Sequence, residues 1–335
     1  MENQGSKKAP AVAVVGCGYW GKNLVRNFAQ LGALSHVCEP GEAGQKVARG
    51  LCPGAAVVTD FDAVLGSDVA GVVLATPAVT HHDLCRRALL AGKDVFVEKP
   101  LALHHEEAAE LVAIAQERGQ ILMVGHVLEY HPAIRALISC VREGRIGAVQ
   151  YVYSNRLNLG KIRMEENILW SFAPHDVAII LRLMDTMPLQ VTSVGGGYVT
   201  ANVTDATVST LLFPQGCRAH IFVSWLHPFK EQRFVVTGSN GMLTYDDVNK
   251  QLLYHDKRVT MSGNGPLVVN GVGTRLDFPD SEPLLLECLA FLDAIQTRRQ
   301  ALTDGVSGLR TLRVLEAMQR SLSTGGEPIH MGTRF

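Results

Sequence analysis

The chain has no uninterrupted apolar run approaching the ~20 residues that cross a bilayer as a helix, so no membrane span is expected. It has no surplus of either charge. Its 31 Lys and Arg against 32 Asp and Glu give a formal net charge of −1, which excludes a general attraction to nucleic acid or to an acidic membrane. It has no CxxC pair, and its seven cysteines are an odd number scattered from Cys17 to Cys288. Reduced thiols fit that usage; a disulfide framework or a zinc site does not, and no metal site is expected. There is no internal repeat and no low-complexity linker. The start, MENQGSKKAP, has no apolar core, so it is not read as a signal peptide and a cytoplasmic location is expected. At 47% hydrophobic and 19% charged residues the chain is too apolar for disorder, and its 335 residues allow about two domains.

What is present begins at Ala11–Val15, an apolar run suited to a buried strand. GCGYWG follows, so Gly16, Gly18 and Gly21 fit GxGxxG, with Tyr19 and Trp20 inside the turn. Leu24, Val25, Phe28 and Leu31 then recur at helical spacing. Strand, glycine turn and helix come in the order of a dinucleotide-binding unit. A second short strand, Ser35–Cys38, ends at Glu39, 18 residues past Gly21. A carboxylate there accepts from a ribose diol and repels a 2′-phosphate, which argues for NAD as cofactor; the alternative is a solvated acid at a strand end. Further strands are expected at Val57–Thr59, Gly71–Ala75, Val95–Val97 and Ile121–Val124. Helices are expected from a Thr80 cap to Leu90 and over His104–Glu117. Alternating strands and helices imply a parallel sheet wound on both faces, with ligands beyond the carboxyl ends of its strands. Those ends carry the glycine turn, Glu39, Thr76-Pro77, Glu98-Lys99-Pro100 and Gly125-His126.

GCGYWG, ATPAVTHH and VEKPLAL together resemble the Gfo/Idh/MocA family of NAD(P)-dependent oxidoreductases, many of which act on sugars. The resemblance covers nearly the whole chain, including VSWLHPFK and TGSNGMLTYDD. It implies that Lys99 contacts the reacting hydroxyl beside the nicotinamide, that Glu98 supports the cofactor end, and that the Lys-Pro peptide is often cis. It also implies that His81 lies near the nicotinamide ribose; His82 is read as a surface residue.

From His126 the pattern changes. A helix, Pro132–Glu143, leads to Gln150–Leu159 and later strands at Leu189–Val194, Ala206–Phe213, Cys217–Trp225, Arg233–Thr237 and Met242–Tyr245. Pro214-Gln215-Gly216 and Asn240-Gly241 read as hairpin turns, Gly263–Gly273 as a loop, and Pro283–Thr297 and Val306–Ser321 as closing helices. The expected fold is α/β. A Rossmann domain over 1–125, a doubly wound parallel sheet, binds NAD. An α+β domain over 126–335, with an open and mostly antiparallel sheet, binds substrate, and the family resemblance implies that it forms a homodimer or homotetramer.

The segment YSNRLNLGKIRMEENILWSFAPHDVAII carries Asn155, Arg156, Asn158, Lys161 and Arg163, then Ser171 and His175. Pro174 suits a first helical position, which would place His175 in the first turn. There the helix dipole favours neutral imidazole, able to take an alcohol proton, while the adjacent Asp176 pulls the other way. A packing or capping histidine is the alternative. The basic residues, otherwise a solvated face, suit an anionic substrate rich in hydroxyls, with His126 also on the substrate side. The segment resembles the branch of the family that oxidises the C3 hydroxyl of UDP-N-acetylglucosamine or of its C6 uronate. The resemblance implies that a pyridoxal-phosphate aminotransferase then converts the 3-keto product to a 2,3-diamino sugar for lipopolysaccharide or a related glycan. Many family members have Asp where this chain has Ser171, a departure that removes the carboxylate from a carboxylate-assisted dyad. A free sugar or inositol dehydrogenase and a non-enzymatic sensor of NAD or sugar are the competing readings.

Overall fold

A computed structural model describes residues 9–332. The polar start read above falls mostly on residues 1–8, outside the described residues. Contacts divide the chain into two compact units: Met1–Val127 with Glu282–Leu312, and Leu128–Ser281 with Arg313–Phe335.

The first unit alternates β1 (Val12–Val15), α1 (Gly21–Gln30), β2 (Leu34–Cys38), α2 (Glu42–Leu51), β3 (Ala56–Val58), α3 (Phe61–Leu65), β4 (Gly71–Leu74), α4 (His81–Leu90), β5 (Asp94–Glu98), α5 (His105–Arg118) and β6 (Leu122–Gly125). The six strands form one parallel sheet in the order β3-β2-β1-β4-β5-β6. β1, β4 and β6 are buried along their whole length, as strands covered on both faces must be. The strand order reverses between β1 and β4, where ligands settle in such sheets. Thr80 does not cap α4: its hydroxyl donates to the Pro77 carbonyl at 2.8 Å, and no side chain caps this helix end.

The second unit begins with α6 (Pro132–Arg142), β7 (Val149–Leu159), α7 (Ile168–Met184), β8 (Gln190–Gly196), β9 (Ala206–Leu212), β10 (Arg218–Ser224), β11 (Leu226–Gly238), β12 (Met242–Asp246), β13 (Gln251–Ser262) and β14 (Gly265–Leu276). Along the chain there follow α8 (Pro283–Thr297) and the start of α9 (Gly305–Ser323), which belong to the first unit, then the rest of α9 and β15 (Ile329–His330), which belong to the second. The unit's nine strands lie in the order β14-β13-β12-β11-β7-β10-β9-β8-β15, antiparallel throughout except for the parallel β7–β10 pair. Its core joins α6, α7 and the latter part of α9 to the inward residues of the sheet, with Trp225 fully buried.

Three further expectations change. Gly263–Gly273 is mostly strand rather than loop: β14 pairs with the unanticipated β13 around a tight turn, and Val268 sits opposite Val259. Cross-strand pairing of β-branched residues outweighs the scattered glycines there. α7 starts at Ile168, so Pro174 lies inside the helix and His175 in its middle turns. The helix-terminus argument for a neutral His175 therefore falls. Finally, α8 belongs with the first unit, whereas the boundary read near residue 125 put it in the second. Phe291 of α8 packs edge-on against Phe28 at 6.5 Å and Phe96 at 5.7 Å, and Arg298 holds Asp94 through two bonds of 2.6 and 3.0 Å. The parallel sheet buries an apolar face, and a helix from far along the chain covers it.

Candidate active site

The glycine turn follows from local sterics. Gly16 has φ +91°, and a β-carbon there would come within 2.7 Å of the Ala75 carbonyl oxygen. A β-carbon on Gly21 would overlap the Gly16 carbonyl, while one on Gly18 would meet nothing within 4 Å. The turn is thus closed on two sides and open at its middle. Helix α1 has no acidic residue in its first turn and no side-chain cap, so its leading N–H groups suit an anion. Tyr19 is exposed. The end of β2 is tied to the turn: Cys17 N–H donates to Glu39 Oε2 at 2.7 Å and Gly41 N–H to Oε1 at 2.9 Å. A crowded turn, an open centre and a fixed carboxylate beside it can receive a pyrophosphate and an adenosine ribose.

The carboxyl ends of β4 and β5 carry the next group. The Thr76 and Thr80 hydroxyls meet at 2.7 Å. His81 is buried with Nε2 at 2.9 Å from the Thr76 carbonyl and Nδ1 at 2.7 Å from that of Pro100. Burial holds its pKa below the usual value against the raising effect of the two carbonyls, and the Lys99 charge lowers it further. A neutral ring has one N–H, so His81 donates to one carbonyl at a time. It sits between the Thr76 turn and the lysine turn. The Lys99–Pro100 peptide is cis. His82 pairs with Glu110 at 2.9 Å near the surface. His126 is buried at the end of β6.

Burial pushes the Glu98 carboxyl up to about 7, opposed by the Trp20 indole N–H, the Lys99 charge and the Lys99 backbone N–H. A folded-state value above the ordinary 4.5 means that this group favours the fold at low pH and that its contribution is lost as pH rises through about 7. Glu98→Gln is expected to remove that loss, read as a smaller drop in urea midpoint between about pH 5 and pH 8. An unchanged drop would show that Glu98 ionises normally.

In the second unit Ser154 and Arg156 share a face of β7 and meet α7. Asp176, 1% exposed, accepts from Ser154 Oγ at 2.8 Å and from Arg156 Nε and Nη2 at 3.0 Å each. The Arg156 guanidinium is therefore paired with a carboxylate. That carboxylate, which the sequence reading set against His175, is already neutralised. Asn155 donates to Glu231 at 2.9 Å, and Arg163 to Glu166 at 2.6 Å. Asn158 keeps a buried Oδ1 without a hydrogen-bond partner among the described residues. Lys161 is exposed between β7 and α7. Ser171 and His175, one turn apart on α7, share a helix face.

Sequence reasoning missed two links, Arg156 to Asp176 and Trp20 to Glu98. Ser and Arg two apart on a half-buried strand, facing a helix with an acid in an apolar run, were the available signal for the first. Seventy-eight residues separate the second pair, and no local pattern announces it.

The oxidoreductase family model with an NAD-binding Rossmann fold, Gfo/Idh/MocA, matches residues 11–126, and the Gfo/Idh/MocA C-terminal domain model matches residues 134–244. The UDP-N-acetylglucosamine 3-dehydrogenase of Acidithiobacillus ferrooxidans is 30% identical over 303 residues, covering 89% of this chain and 93% of the relative. This chain belongs to the Gfo/Idh/MocA family. A solved structure of that dehydrogenase superposes with a TM-score of 0.84 at 27% identity, covering 94% of this chain and 98% of the other. An inositol 2-dehydrogenase of Ralstonia nicotianae is 25% identical, covering 89% of this chain and 86% of the relative. As a Gfo/Idh/MocA member the protein is an NAD-binding oxidoreductase. Among the described residues no helix is long and apolar enough to cross a membrane.

Proposed function

We propose that the protein oxidises the C3 hydroxyl of UDP-N-acetylglucosamine to the 3-keto sugar. The observation that carries this reading is the similarity to a dehydrogenase of that name over nearly the full length of both chains. Bound NAD supplies the hydride acceptor. Gly16, Gly18, Tyr19, Trp20 and Gly21 receive the pyrophosphate, and Glu39 accepts from the adenosine ribose hydroxyls. Thr76, Pro77, His81, Glu98 and Pro100 shape the nicotinamide end, where His81 sits between two backbone carbonyls and donates to one of them.

Lys99 donates a hydrogen bond to the reacting oxygen and stabilises its developing negative charge. His175 accepts the hydroxyl proton. Asn158, with an unused acceptor, reads a sugar hydroxyl. Lys161 and Arg163 face the diphosphate, with His126, Asn155 and Ser171 on the same substrate. Arg156, paired with Asp176, sets the position of α7 and with it His175. The ketone formed passes to a pyridoxal-phosphate aminotransferase that makes a 2,3-diamino sugar for an envelope glycan. The working form is a cytoplasmic homodimer or homotetramer.

The inositol dehydrogenase relative favours a second reading, oxidation of a free polyol. The purified protein is tested with NAD against UDP-N-acetylglucosamine, its C6 uronate and myo-inositol. An aminotransferase and glutamate trap the ketone for mass spectrometry. The expected result is NADH and an aminated UDP-sugar from UDP-N-acetylglucosamine. NADH from myo-inositol and none from either nucleotide sugar would establish the second reading instead.

A further inference from the structure

Trp20 occupies the cap position of α1 without using its side chain as a cap. Its indole Nε1 instead donates to Glu98 Oε1 at 2.5 Å, at the end of β5. The same carboxylate accepts the backbone N–H of Lys99. β4 lies between β1 and β5 in the sheet, so this bond passes over the carboxyl end of β4, beside the place where the strand order reverses. Packing does not account for the indole: the residue stays 39% exposed while its one polar atom meets a partly buried carboxyl. A space-filling tryptophan would bury its ring as well as satisfy its N–H.

We infer that Trp20 is a positioning residue that ties the glycine turn to the turn carrying Lys99, so that occupation of the first is felt at the second. The path is short: indole N–H to Glu98 carboxylate, carboxylate to Lys99 amide. A diphosphate entering the open centre at Gly18 passes beside Trp20, two residues on. Seating the indole fixes Glu98, and Glu98 fixes the backbone that aims the lysine. His81 grips the far side of the same turn through the Pro100 carbonyl, so Trp20 closes a brace that is otherwise one-sided. The catalytic meaning of the link rests on the role proposed for Lys99; the link itself does not.

The test uses the full chain with ADP, which carries a diphosphate and an adenosine ribose but no nicotinamide. Hydrogen exchange read by mass spectrometry is expected to slow at residues 98–103 when ADP binds the wild-type protein. In Trp20→Phe, ADP should still protect residues 16–25 but no longer residues 98–103. Glu98→Ala should lose the same protection, and the double variant should lose no more than either alone. ADP protection of residues 98–103 that survives in Trp20→Phe overturns the inference, as do additive losses in the double variant. Should Trp20→Phe fail to fold, the indole N–H of the unaltered protein decides by NMR. It must exchange more slowly with ADP than without, and equal rates overturn the inference. None of these readouts uses a sugar, so an error in the substrate reading leaves them untouched.

Discussion

Replacing Lys99 by methionine is expected to lower kcat by about 10²–10³-fold or more, the usual cost of removing a donor from a developing oxyanion. Methionine matches the length of the lysine stem and removes only the ammonium. The glycine turn and Glu39, which the proposed mode of NAD binding uses, are untouched, so calorimetry should still find NAD bound. His175→Asn should lower turnover by about 10²–10⁴-fold, the range for a general base. Near-wild-type turnover in Lys99→Met would remove the lysine from the chemistry whatever the substrate proves to be.

The second large effect is on stability. Asp176→Ala leaves the Arg156 guanidinium beside α7 without its carboxylate. Breaking a buried pair from one side costs about 3–5 kcal/mol, far more than an exposed pair is worth. The pair qualifies as buried, since the Asp176 side chain is 1% exposed and that of Arg156 15%. Urea unfolding should show the loss, and replacing both residues by leucine should recover part of it, because no charge is then left alone. A loss under about 1 kcal/mol for Asp176→Ala would mean that water reaches the guanidinium and that the pair behaves as a surface one.

The parts of the molecule legible in the sequence were those governed by neighbours in the chain. β1, the glycine turn and α1 follow from a buried run, a steric demand at Gly16 and Gly21, and a helical repeat, all within twenty residues. α8 could be bounded at Pro283–Thr297, because proline at its start is a local signal. Its membership could not: Phe291 meets Phe28 and Phe96 only after the chain has built a whole second sheet. Proline also misled. At Pro174 it marked a helix start by habit, yet α7 runs through it. The surrounding residues Leu169, Ala173, Val177 and Ile180 are all fully buried, so packing outweighs one missing backbone donor. Of the candidate site, the residue types on each turn could be read, but the partners that occupy them could not. Asp176 neutralising Arg156, and Glu98 receiving Trp20, depend on which strands and helices become neighbours.

The placement of α8 sets a rule for anyone grafting the nucleotide half onto another scaffold. A chimera that carried only Met1–Val127 would leave Phe28, Phe96 and the narrow gap at Gly71 facing water, and Asp94 without Arg298. The transplant has to be discontinuous, with Glu282–Leu312 travelling alongside. A nascent chain meets the same requirement: its first half finishes only after most of the second has left the ribosome.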